Sequence, residues 1–152
     1  MKILFYILAF ILSVPAGSVS AQTPEKIVDD IIAAASDACI TVGYSLDAKV
    51  DDVRVRDRGT IVAQDDIWYM KGEAVEIYTC EDGTWILHPE SKEAMIEPKW
   101  TYDDLKAFYR THLKSPGNGI DVKVISRIIS EKKPASYFVP DTGSDWVVTD
   151  LR

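Results

Sequence analysis

From Ile40 to Ile96 the hydrophobic period of the chain is two, broken at short intervals by polar turns. Ile40, Val42, Tyr44, Leu46 and Ala48 alternate with Thr41, Gly43, Ser45, Asp47 and Lys49, as in a strand with one wet face. Segments 59–63, 67–70, 75–79, 84–87 and 93–96 follow, rich in β-branched and aromatic residues. Asp65-Asp66, Lys71-Gly72, Glu81-Asp82-Gly83 and Pro89-Glu90-Ser91-Lys92 separate them. Connections this short join antiparallel neighbours, so the block reads as a five- or six-stranded meander. Asp51-Asp52 and the mixed-sign run Val53-Arg54-Val55-Arg56-Asp57-Arg58 read as a solvated turn and strand edge rather than an ion site.

Two segments change period. Thr23-Pro24-Glu25 is a helix start, with a capping hydroxyl, a proline pre-set at the first helical position and an acid at the positive end of the dipole. Ile27, Val28, Ile31, Ile32, Ala35 and Ala38 then form one apolar stripe, predicting a helix to about Cys39. A second helix is expected from the cap Thr101 to Leu113, with Leu105, Phe108, Tyr109 and His112 on one face, stopped by Ser115-Pro116-Gly117-Asn118-Gly119. Strands are expected at 120–129, 137–139 and 146–148. An antiparallel sheet of this size needs its apolar face covered, and two helices spanning roughly 22 and 18 Å cannot cover eight spacings of about 4.8 Å unless the sheet curls. The expected fold is α+β, mainly β: a curved antiparallel sheet forming an unclosed half-barrel, covered on its concave face by two amphipathic helices.

Lys2 followed by the apolar run Ile3 to Val14 is too short to cross a bilayer and ends in small residues up to Ala21, which reads as a secretory signal peptide over 1–21. Its removal leaves one domain, 22–152, of 131 residues at net charge −8, against −7 for all 152 residues, since Lys2 is the only charge lost. The expected protein is exported, soluble in the periplasm and monomeric. Its acidity disfavours nucleic acid and anionic lipid surfaces, and the short apolar run disfavours stable membrane insertion.

Cys39 and Cys80 in an exported chain are compatible with a disulfide or with two separate buried thiols. His88 and His112 are too far apart in sequence, and too few, for a zinc set. No Gly-x-Ser-x-Gly, phosphate-cradling glycine loop or His-Glu-x-x-His occurs, and the Asp pairs 29-30, 51-52, 65-66 and 103-104 sit at turns and helix starts, where Asp serves the backbone. The chain therefore reads as a non-enzyme without metal or cofactor.

The order of helix, Gly59-Thr60-Ile61, Trp68-Tyr69, Asp82-Gly83-Thr84-Trp85, Pro89-Glu90-Ser91-Lys92-Glu93-Ala94 and the closing Trp146-Val147-Val148-Thr149-Asp150-Leu151-Arg152 resembles the periplasmic outer-membrane lipoprotein carrier family, LolA, in its short Bacteroidetes form. The resemblance implies an apolar cavity that shields lipoprotein acyl chains or another lipid. It also implies an inner-membrane release complex and an outer-membrane receptor as partners. Tyr44, Leu46, Trp68, Ile77, Trp85, Leu87, Leu105 and Phe108 are the expected cavity lining, chosen by residue type. The alternative is a non-catalytic periplasmic interaction module with the same fold and a filled core.

Overall fold

The structure, a computed structural model, describes residues 24–50, 52–108 and 119–152. The expected signal peptide and the second half of the expected second helix lie outside these residues. Helix α1 (Pro24–Asp37) opens on its proline and leads into strand β1 (Cys39–Val50). Strand β2 (Val53–Gln64) follows Asp52, which takes the left-handed conformation (φ 68°) suited to a tight hairpin. The mixed-sign run is therefore the first half of one long strand. Strands β3 (Ile67–Lys71), β4 (Glu76–Cys80), β5 (Gly83–His88) and β6 (Glu93–Glu97) complete an antiparallel meander. Helix α2 (Tyr102–Phe108), strand β7 (Gly119–Ser130), a 3-10 turn at Ala135–Phe138 and strand β8 (Val147–Asp150) close the chain.

The eight strands of the described residues form one open sheet in the order β7-β1-β2-β3-β4-β5-β6-β8. It is mixed rather than antiparallel, because β8 lies parallel to β6, with Glu93 opposite Val147 and Ile96 opposite Asp150. A parallel neighbour needs a long crossover, and everything from α2 to Trp146 supplies it. The ends of β8 are fixed by backbone bonds, Val147 N–H to the Lys92 carbonyl at 2.9 Å and Leu151 N–H to the Ile96 carbonyl at 2.8 Å.

The expected cover of two amphipathic helices is also corrected. Among the described residues one helix has 14 residues and lies over β1 and β2, and the other has 7 and packs on the first. The expectation of a single apolar face fails in the middle of the sheet. Ile67, Trp68, Tyr69 and Met70 are all buried, as are Ile77, Tyr78, Thr79 and Cys80, so β3 and β4 are covered on both faces. Uninterrupted apolar runs are the mark of strands with two dry faces. One face carries Ile40, Tyr44, Leu46, Ile61, Trp68, Met70, Ile77 and Ile86, with Ala35 of α1 and Trp100 over it. The other carries Cys39, Val62, Tyr69, Tyr78, Cys80, Leu87 and Ala94, and Phe138 covers it.

That second cover is the strap 131–146. The segment expected to be a strand at 137–139 instead turns as a 3-10 helix, which buries Phe138 and leaves Tyr137 and Val139 exposed. Gln64 fixes the strap twice, donating to the Lys133 carbonyl at 2.9 Å and accepting from Lys133 N–H at 2.7 Å. The Tyr69 hydroxyl donates to that of Tyr137 at 2.7 Å.

Candidate functional site

The register across the sheet places the sequence-predicted lining residues on two opposite faces. Tyr44 and Leu46 on β1, Trp68 on β3 and Ile77 on β4 share the face beneath α1. Trp85 and Leu87 belong to the other face, under the strap. Leu105 and Phe108 fall on α2, with side chains outside the described set. Residue type alone missed Met70, Ile86 and Trp100, which complete the first face. Met70 is legible from strand parity with Trp68, and Ile86 lies between Trp85 and Leu87, which point to the other face.

Trp100 closes one end of this face over a buried polar row. Trp68, Thr79, Thr84 and Glu97 are cross-strand partners on β3 to β6. Trp100 N–H donates to Thr84 Oγ1 at 2.9 Å and its indole N–H to Glu97 Oε2 at 3.1 Å. At the other end the Tyr44 hydroxyl donates to Asp57 Oδ2 at 2.7 Å, and burial, then this bond, push its ionisation well above the ordinary tyrosine range.

Both described helices hydrogen-bond to the sheet at the turn Asp65-Asp66. Asp65, at φ 52°, donates its N–H to the Ala35 carbonyl at 2.8 Å, satisfying one of the open carbonyls at the end of α1. The Tyr102 hydroxyl of α2 donates to the Asp65 carbonyl at 3.1 Å, and Lys99 donates to Asp66 Oδ2 at 2.6 Å. The Lys99 hydrogen bond holds the Asp66 carboxyl below its usual range. Helix α2 begins on a reciprocal cap, with Asp104 N–H to Thr101 Oγ1 at 3.1 Å and Thr101 N–H to Asp104 Oδ2 at 2.9 Å. Lys106 then ties α2 to α1 through Asp29 at 3.1 Å. Among the described residues, Lys106 thus links the two helices, hydrogen bonds at this turn link both to the sheet, and Ala35 and Tyr102 pack into the apolar core.

Cys39 and Cys80 are both free, buried thiols on the strap face. They stand on β1 and β4, three strand spacings or roughly 14 Å apart, twice the reach of a disulfide. The Cys80 thiol donates to the Phe138 carbonyl at 3.0 Å. Burial pushes it up to about 11.

A polar cleft of about 370 Å³ lies on the long hairpin, between Ser45, Asp47, Arg56, Asp57, Arg58 and Glu73. Among the described residues no three His, Cys, Asp or Glu side chains gather as a metal set. No described helix is long and apolar enough to cross a membrane. No protein-family model and no curated protein matches the chain.

Proposed function

We propose that the chain is a non-catalytic carrier that shelters the acyl chains of a lipid-modified protein, or another lipid, between helix α1 and the sheet. The observation that carries this reading is the broad aromatic and aliphatic face beneath α1. Tyr44, Leu46, Trp68, Met70, Ile77 and Ile86 form that face. An acyl chain loses about 0.8 kcal/mol per CH₂ moved into water, so a carrier needs apolar area and a movable cover, and no reactive group. The likeness of the Trp68 to Ala94 block to the LolA carriers supports export to the periplasm, with a membrane release complex as donor and an outer-membrane receptor as acceptor.

A second reading, an interaction module with a filled core, is favoured by the packing of this face: Tyr44, Trp68, Ile77 and Ile86 are each at most 1% exposed. Native mass spectrometry of protein purified from its own compartment separates the two. The carrier reading expects a bound lipid or a mass shift on adding diacylated lipopeptide. Lipid-free protein that also ignores the lipopeptide establishes the filled module instead.

A further inference from the structure

The long hairpin carries a second surface, on the face opposite Tyr44 and Leu46. The register puts Lys49 opposite Arg54, Asp47 opposite Arg56 and Ser45 opposite Arg58, so one face of two strands presents four cations against one carboxylate. This excess stands on a chain whose net charge is −7. Asp47 is held mainly by Arg54, whose Nε and Nη2 donate at 2.9 and 2.7 Å, and more weakly by Arg56 at 3.3 Å. Arg54 and Arg56 nevertheless remain 62% and 69% exposed, and Arg58 is exposed beyond them.

The backbone beside this row is open. Strand β3 pairs with β2 only over residues 60–64, and the loop after it closes on Asp57, whose Oδ1 accepts Glu73 N–H at 3.0 Å. Residues 53–56 have β1 on one side and, among the described residues, no strand on the other. Alternate side chains on a strand stand about 6.8 Å apart, so the three guanidiniums match carboxylates on every second residue of an extended chain.

We propose that the free edge of β2, with the row Arg54, Arg56 and Arg58, docks an extended peptide segment of a partner protein that bears carboxylates at alternate positions. Backbone bonds to the edge supply affinity, and the guanidinium row sets register and sign. An anionic membrane fits this surface less well, because Asp52 is exposed at the hairpin tip and Asp57 and Glu73 border the row. The proposal is independent of the acyl-carrier reading, which uses the other face.

Fluorescence anisotropy with the purified protein and a labelled, acetylated peptide of alternating Glu and Val tests it. Saturable binding is expected, weakened about tenfold in Arg54→Gln/Arg58→Gln and unchanged in Lys92→Gln, which removes a cation elsewhere. Circular dichroism checks the fold of the double variant, and Arg56→Gln, expected to weaken binding about threefold, serves if that variant does not fold. A peptide of the same composition with its Glu residues in one block is expected to bind at least tenfold more weakly. Equal binding of the block peptide, no saturation below about 1 mM, or capture only by phosphatidylglycerol vesicles overturns the proposal and leaves the arginines as charges that guard an edge strand.

Discussion

The Tyr44 hydroxyl donates to Asp57 Oδ2 across β1 and β2, at the point where β3 leaves β2 and the sheet narrows to the ribbon β7-β1-β2. Asp57 is shared there, since its other oxygen accepts the N–H of Glu73 from the loop after β3. One carboxylate therefore joins the ribbon to the body of the sheet. Tyr44→Phe keeps the buried ring and removes one donor to a charged acceptor, so it is expected to cost about 2 kcal/mol. Asp57→Ala leaves two donors without their acceptor and costs more. Urea unfolding of the two variants checks the order; an Asp57→Ala cost equal to or below that of Tyr44→Phe would contradict the shared role.

Gly59 sits two residues from Asp57 on the same junction. A Cβ built there falls against the Lys71 carbonyl oxygen and within 2.9 Å of Gly72 Cα, both backbone atoms that no rotamer change moves aside. Gly59→Ala must therefore push β3 away from β2 and is expected to destabilise the fold by about 2–3 kcal/mol. Gly143, where a Cβ meets nothing nearer than the Asp145 carboxylate at 3.1 Å, is the control and is expected to change stability by less than about 0.5 kcal/mol. Thermal unfolding compares them.

These two junction residues mark how far the sequence could be read. The meander and its turns follow from period-two alternation and Asp or Gly punctuation, and strands β1 and β3 to β7 form close to where that pattern puts them. Alternation gives parity within a strand but does not say which parity faces which cover, so residue type alone groups Trp85 and Leu87 with Trp68 although register places them on opposite faces. The mixed signs of 53–58 read as a solvated turn and strand edge, yet they also suit the first half of a long strand with one wet face, which is what forms. Tyr137-Phe138-Val139 has strand composition, yet Phe138 is drawn into the second core and its neighbours are left outside. The signal for that core was present in Ile67-Trp68-Tyr69-Met70, an apolar run with no wet position.

The strap over this second core is expected to control access to the thiols. Phe138 is 1% exposed and packs its ring against Tyr69 and Tyr137 at centroid distances of 5.8 and 5.4 Å. Phe138→Ala removes that anchor and is expected to cost about 3 kcal/mol, felt first as release of the strap. Cys80, now beneath the Phe138 carbonyl, is then expected to react with a disulfide reagent at least tenfold faster at neutral pH. An unchanged rate in the folded variant would show that the strap does not gate the thiol.

Alkaline pH is expected to destabilise the fold through the same cysteine. Burial, and secondarily the Asp82 carboxylate, raises the Cys80 thiol from 9.0 to about 11. From about pH 9 to 11 the unfolded chain gives up this proton while the folded chain keeps it, so stability falls as pH rises. The contribution is fully present below the unfolded pKa and lost on passing the folded one. This difference between the two states corresponds to about 2–3 kcal/mol. Tyr44, Tyr69, Tyr78 and Tyr102 are also raised, chiefly by burial, and lower stability in the same direction at still higher pH. Comparison with Cys80→Ala isolates the thiol, because the tyrosines are common to both proteins. Urea midpoints from about pH 8 to 11 should fall more steeply in the wild type than in Cys80→Ala, and parallel curves would assign the alkaline loss to the tyrosines alone.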